Sequence, residues 1–385
     1  MEWRYFDEEH ILLRDMVREF AQNEVAPLAD ELDREGRYPT DLVNKMSALG
    51  LMGIPIPQEY GGAGMDTVAY SIAVHELAKV DGSVAITAAA HTSLGTMPIY
   101  LFGSEDQKKK YLPPLAAGEM IGAFGLTEPG AGSDAGSTQT RAVHQGETFV
   151  VNGEKSFCTN AGHAQVIVIT ARLIEDGDDK GITAFIVEHD TPGLRLGESE
   201  KKMGWRASDT RSLFFEDLEI PAGNVLGRPT RGFSQFLHAL VGGRISVGAL
   251  ALGTAEGAYQ LALQYAQERE AFGQKIGQFQ AVSFTLADMA MQLEAAKHLI
   301  YHVSWLKDQG HKVIKEAAMA KLFASELAMR IATDAIQIHG GYGYIRDYPV
   351  ERFFRDAKAL EIGEGTSEVQ RIVIAREIME ESQNP

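Results

Sequence analysis

Three stretches of this 385-residue chain bring together side chains able to do chemistry. In the first, Ile362-Gly363-Glu364-Gly365-Thr366-Ser367-Glu368, a carboxylate stands between two glycines just ahead of a helix-start pattern. Flanking glycines let a ligand reach both the carboxylate and its backbone amide. That geometry suits a base that takes a proton from carbon while amides hold a developing enolate oxygen. A glutamate in a loop before a helix is equally, by default, a solvated surface group. The second stretch, Gly130-Ala131-Gly132-Ser133-Asp134-Ala135, matches the G-x-G-x-x-A dinucleotide fingerprint and has Glu154 downstream. Its context is wrong, because strand-like Phe149-Val150-Val151 follows where the fingerprint requires a helix. Its amides, with the hydroxyls of Thr127 and Ser133, can still cradle a polar ligand edge, or the glycines can simply make a turn. The third, Gln337 to Tyr344, is a glycine cluster after a long helical pattern and needs no function beyond helix termination. His339 reads there as a packing or capping residue. No cysteine or second histidine stands at zinc spacing, so no metal site is expected. Arg244 and Arg269 fall in expected helices, where a guanidinium calls for a carboxylate or a phosphate.

Composition narrows the classes of function. The net charge of -17 disfavours nucleic acid, which selects a basic face. The single cysteine, Cys158, points to a reducing, cytoplasmic setting. The start, Met1-Glu2-Trp3-Arg4-Tyr5, enters a charged amphipathic pattern without an apolar leader, and no uninterrupted apolar run is read as crossing a bilayer.

The elements that must position these groups change character along the chain. One amphipathic helix is expected from Asp7 to about Leu32, with others opening at Thr40 and covering Thr67 to Lys79. The apolar run Val84 to Ile99 reads as a buried helix, and Ser104 to Gln107 as a capping box. Beyond Met120 come β-rich runs, Thr148 to Val151, Val166 to Thr170 and Ile182 to Val187, parted by Asn-Gly, Asp-Gly and Pro-Gly. Between Pro229 and Pro349 the chain carries long Ala/Leu/Gln/Glu-rich runs suited to bundle helices. The expected fold is α+β: an N-terminal all-α domain (1–119), a central antiparallel β domain (120–228) and a C-terminal four-helix bundle (229–385).

In this order the motifs resemble the acyl-CoA dehydrogenase family, in its short- and medium-chain, butyryl-CoA dehydrogenase-like branch. The resemblance covers nearly the whole chain. It rests on Phe124 to Asp134, Met203 to Thr210, Arg269-Glu270-Ala271-Phe272-Gly273, Gln337 to Tyr344 and Glu364 to Glu368. It implies FAD as cofactor. Phe124, Leu126, Thr127, Gly132 and Ser133 would line the isoalloxazine, Ser133 also touching substrate, with Phe157 and Thr159 flanking the ring. Arg269, Phe272, Gln280, Gln337, Gly340 and Gly341 would hold the pyrophosphate and adenosine, partly across a subunit boundary, and Thr366, Ser367 and Glu368 would complete the site. Val241, Arg244 and Gly365 would contact the acyl-CoA.

The resemblance also implies a reaction: Glu364 removes the α-proton of an acyl-CoA thioester, a β-hydride passes to the flavin, and trans-2-enoyl-CoA leaves. Electron-transfer flavoprotein is the implied acceptor and a homotetramer the implied assembly. An oxidase or monooxygenase on the same fold is the alternative, and such a monooxygenase does not need a base at Glu364. Other branches carry the carboxylate on an early helix of the last domain, where this chain has Gly243. Three departures stand out: Phe157 where the family often has Trp, Val241 where Asp is common, and Gly363 in place of a frequent Tyr. Gly363, with Gly95 and Thr96, is expected to widen the acyl channel for medium or branched chains.

Overall fold

The computed structural model describes residues 4–383. Met1, Glu2 and Trp3, part of the start read above, lie outside the described residues. The chain first forms α1 (Glu8–Phe20), α2 (Ala29–Glu35), α3 (Thr40–Ala48), α4 (Thr67–Ala78), α5 (Gly82–Ala90), α6 (Met97–Phe102) and α7 (Glu105–Ala116). The side chains of Asp7, Asp66, Asp81 and Ser104 cap α1, α4, α5 and α7, accepting from amides that have no partner inside the helix. Ser104 and Gln107 make the expected reciprocal capping box. Two expectations change here. The helix read from Asp7 to Leu32 is interrupted by a π-turn at Ala21–Val25, and Pro27, which has no amide to donate, precedes the restart at Ala29. The buried run from Val84 is likewise split by a π-segment, His91–Thr96.

The middle of the chain is one sheet: β1 (Gly122–Gly125), β2 (Arg141–Gln145), β3 (Thr148–Thr159), β4 (Val166–Glu175), β5 (Asp178–Glu188), β6 (Leu194–Leu196), β7 (Thr210–Pro221) and β8 (Val225–Leu226). Most neighbours pair antiparallel, as expected, but β1 and β2 both run parallel to β4. The physical reason lies in the register. β1 pairs with residues 166–169 and β2 with residues 172–174 of β4. The two strands therefore lie end to end along a single partner, and residues 126–140 loop out between them. The glycine-rich stretch sits in that loop. It leads through a short 3₁₀ turn at Ala135–Ser137 into β2, with no helix of the kind a dinucleotide fold would need.

The last segment contains α8 (Gly232–Glu268), a small hairpin of β9 (Glu270–Ala271) and β10 (Gln274–Lys275), α9 (Gln280–Asp308), α10 (Ile314–His339), α11 (Val350–Leu360) and α12 (Ser367–Gln383). α10 packs against α8, α9, α11 and α12, so the expected four helices are joined by the short α11. By length and composition α8 would pass for a membrane span, contrary to the sequence reading. However, 72% of its apolar window is buried inside the protein, against α4, α5, α9, α10 and α11. It is a core helix, and small residues permit the contact: Cβ atoms at Gly253 and Gly257 would lie 2.4 Å from the backbone oxygens of His75 and Lys79.

Candidate active site

Glu364 occupies the turn between α11 and α12, held by a hydrogen bond from the Ser367 amide to the Glu361 carbonyl (2.9 Å). Its backbone is left-handed, with φ +52°, followed by Gly365 at φ +93°. A left-handed residue other than glycine costs roughly 1–2 kcal/mol and persists only where its surroundings impose it. The turn sends the side chain inward onto α8. There the carboxylate lies so close to Gly243 that a Cβ at that position would sit 2.0 Å from Oε2. Oε2 is fully buried and has no hydrogen-bond partner. Burial raises the Glu364 pKa to about 7, opposed by the positive charges of Lys321 and Arg244. Arg244, buried on α8, has its own pKa lowered by desolvation, and its Nε is unpaired, as are Ser367 Oγ and Gln370 Oε1. A carboxylate poised near neutral pH among polar atoms awaiting partners can take a proton from a bound ligand.

Two buried lysines escaped the sequence reading. Lys321 on α10 donates to the Gly365 carbonyl (2.8 Å), and burial depresses its pKa to about 8. Lys155 on β3 lies beneath the glycine-rich loop. Its Nζ contacts Glu128 Oε1 (2.6 Å), Thr138 Oγ1 (2.9 Å) and the Leu126 carbonyl (3.3 Å). Burial disfavours the charge on Glu128, but bonds from Lys155, Thr138 and the amides of Gln139 and Thr140 prevail and hold its pKa down to about 2. Both ends of the loop are thus tied to one buried ion pair. Lys155 stands between Glu154 and Ser156, a polar setting that gives no sign of its burial, and Glu128 appeared only as one member of the Phe124 to Asp134 motif.

The loop exposes Gly132 and Ser133, with nothing within 4 Å of a Cβ at Gly132, while Phe124, Leu126 and Thr127 are half-buried behind it. The Thr127 carbonyl accepts from the Ser156 amide (2.7 Å), which brings the loop beside Phe157 and Thr159. Phe157 is 67% exposed at φ +57°, whereas Cys158 is buried. A cleft of roughly 420 Å³ is lined by Arg269, His339, Gly340, Gly341 and Tyr342. Arg269 lies just past the end of α8 rather than inside it, with its guanidinium 5.6 Å from the Tyr342 ring and no carboxylate partner among the described residues. His339 packs as expected, bonded to the Ala335 carbonyl (2.8 Å) and stacked on Tyr265. Gln280, Gln337 and the 96% exposed Phe272 lie at nearby helix and hairpin ends, on the surface. Val241 is half-buried one turn of α8 before Arg244, and Thr366 caps α12 ahead of exposed Glu368. One channel expectation is corrected. Gly95 is small because a Cβ there would meet Gly122 at 2.5 Å, and Thr96 is fully buried with its hydroxyl on the His91 carbonyl.

Three family models match in succession: the acyl-CoA dehydrogenase N-terminal domain at residues 7–119, the middle domain at 123–218 and the C-terminal domain at 230–379. The chain belongs to the acyl-CoA dehydrogenase family. A probable acyl-CoA dehydrogenase of Bacillus subtilis is 52% identical over 96% of this chain and 98% of its own. The butyryl-CoA dehydrogenase of Megasphaera elsdenii superposes with TM-score 0.95 at 43% identity, covering 98% of this chain and all of the other. An acyl-CoA dehydrogenase from Bacillus anthracis, solved with FAD, gives TM-score 0.92 at 35% identity over 98% of this chain and 68% of that one. FAD is the cofactor of this acyl-CoA dehydrogenase, and the residues present fit it. An arginine free of carboxylates beside exposed glycine backbone suits a pyrophosphate, and an open glycine loop beside a surface Phe suits a planar ring.

Proposed function

We propose that Glu364 is the base of this acyl-CoA dehydrogenase, removing the α-proton of a short, medium or branched acyl-CoA. The reading rests on its carboxylate, whose Oε2 is buried without a hydrogen-bond partner and pressed against Gly243, and whose pKa is raised to about 7. FAD, when bound, supplies the acceptor for the β-hydride. The chain supplies the rest. Glu364 holds the proton at its carboxylate, its amide is placed to donate to the thioester oxygen, and such donors are worth about 3 kcal/mol each. Arg244, Gly365, Ser133 and Val241 border the acyl-CoA. Phe124, Leu126, Thr127, Gly132, Ser133, Phe157 and Thr159 face the flavin ring, with Thr366, Ser367 and Glu368 beside it. Arg269, Phe272, Gln280, Gln337, Gly340 and Gly341 take the dinucleotide end, shared with a second subunit of a homotetramer. The surface exposure of Phe272 and of Tyr344 supports that sharing. Electron-transfer flavoprotein is the proposed acceptor, meeting the protein near exposed Phe157, and the setting is cytoplasmic, in keeping with the free Cys158.

Gly363 supports tolerance of longer or branched chains, because only the Ala359 carbonyl, at 3.4 Å, comes near a Cβ there. The test is anaerobic flavin reduction by acyl-CoA of graded length. The wild-type flavin loses its visible absorbance, whereas a flavin-loaded Glu364→Gln variant is slower by more than about a thousandfold. An unchanged rate in that variant refutes the assignment, and turnover confined to butyryl-CoA refutes the chain-length reading.

A further inference from the structure

Lys321 is the least expected cation in the molecule. It lies in α10 with no solvent exposure, and among the described residues no carboxylate comes within ion-pair distance. A buried ammonium has to be compensated by charge and hydrogen bonds or it destabilises the fold. Here Nζ donates to one atom, the Gly365 carbonyl, at 2.8 Å. The same carbonyl accepts from Gln370 Nε2 at 2.9 Å, and Gln370, also fully buried, reaches the Glu364 carbonyl at 3.2 Å. Donors from α10 and α12 therefore converge on the two carbonyls that follow the Glu364 Cα. Those carbonyls belong to the two residues with positive φ. The Ser367 amide closes the turn on the Glu361 carbonyl, but the side-chain donors that grip the carbonyls of Glu364 and Gly365 themselves come from Lys321 and Gln370, and an extended backbone would swing the carboxylate off Gly243.

We propose that Lys321 is a positioning residue, holding the Gly365 carbonyl from inside the bundle so that Glu364 keeps its left-handed backbone and its carboxylate remains aimed at the substrate. This rests on Glu364 being the base. The ammonium also contributes charge. Glu364 is faced by Arg244 from α8, Lys321 from α10 and Tyr70 from α4, while Glu361 and Glu368 flank it on its own segment. Removing Lys321 leaves Arg244 as the one cation of that set.

The test compares Lys321→Met and Lys321→Gln with wild type as flavin-loaded enzymes, normalised to bound flavin. Anaerobic reduction by butyryl-CoA and by its α-deuterated form gives the rate and isotope effect. An infrared titration of the Glu364 carboxyl band, assigned by its loss in Glu364→Gln, reads ionisation without turnover. The expected result for Lys321→Met is reduction slower by about a hundredfold, the loss typical of a catalytic group misplaced by about 1 Å. A larger α-deuterium effect should accompany it, and the infrared midpoint should move up by about one pH unit as a cation is lost. Lys321→Gln keeps a donor without charge; its midpoint should move up equally and its rate fall less. If Lys321→Met does not accumulate folded, Lys321→Gln decides. A lysine of merely structural importance would lower thermal stability or flavin content but leave rate per flavin, isotope effect and midpoint at wild-type values, and that result overturns the proposal. An inert Glu364→Gln beside wild-type behaviour in both lysine variants removes the positioning role alone. A fully active Glu364→Gln removes both readings.

Discussion

At the scale of single residues, the site turns on a largely desolvated carboxylate, one oxygen of which, Oε2 of Glu364, is buried without a partner. The folded pKa of Glu364, about 7, lies above its ordinary 4.5, so the fold favours the protonated form. Stability from that carboxyl is complete below about pH 4.5 and is lost as pH rises through about 7. The loss is about 3 kcal/mol, since each unit is worth about 1.4. Glu364→Gln should therefore melt several degrees above wild type at pH 8.5, with the difference gone at pH 4, as read by calorimetry. A constant offset at both pH values would contradict the burial argument. Gly243→Ala carries a second prediction: a methyl 2.0 Å from Oε2 must displace the carboxylate. Flavin reduction should slow about a hundredfold with flavin content unchanged. Two flanking glycines alone left Glu364 readable as a solvated surface group, and it was the resemblance of the surrounding motif that singled it out. Lys321 was not legible, because one lysine in a helical pattern looks the same whether it faces solvent or core.

At the scale of elements, the broken strand is the feature that matters. β1 and β2 share β4 as a partner, and the residues between them are free to form the glycine-rich loop without interrupting the sheet. The Lys155 and Glu128 pair then fixes the loop from below. Lys155→Met would leave Glu128 buried without its cation, which costs about 3–5 kcal/mol. The expected outcome is a lower melting temperature and weaker FAD retention on dilution, with partial recovery in Lys155→Met/Glu128→Gln. Equal flavin retention in wild type and the single variant would show that the pair does not position the loop. The loop's glycines and the strands around it were readable from period and turn residues. The parallel pairing was not, since alternation along a strand is blind to its neighbour's direction. The π-segments were hidden similarly: an added residue per turn changes backbone hydrogen bonding but leaves no signature in the residue types of Ala21–Val25 or His91–Thr96.

For the molecule as a whole, the three segments are joined by a buried polar clasp. From α11, Arg355 forms a two-bond pair with Asp33 at 2.7 and 2.9 Å and a second with Glu351, while Arg352 reaches Asp81 (2.7 Å). Asp356 accepts from the Trp205 amide (2.6 Å), and Arg206 donates to the Asp33 carbonyl (2.9 Å). The Met203 to Thr210 motif thus works as a joint between the sheet and both helical segments, a role its residue types did not announce. Arg355→Met leaves Asp33 and Glu351 without this partner and should cost about 3–5 kcal/mol. Hydrogen exchange should accelerate together in α2, α11 and residues 203–208. Acceleration in α11 alone would mean that the clasp does not couple the segments. The order α, β, α was plain from the sequence, but contacts between distant segments leave no periodic trace.

One further consequence follows from α4, every residue of which is buried, and from its partner α8. A ribosome adds about 5–20 residues per second, so α4 emerges about 8–30 s before Gly232 does. For that interval a helix whose every side chain is destined for burial waits for a companion not yet made. The first helical segment cannot complete its folding on its own, and a nascent chain stopped within the sheet would present a sticky surface that only a chaperone could shield.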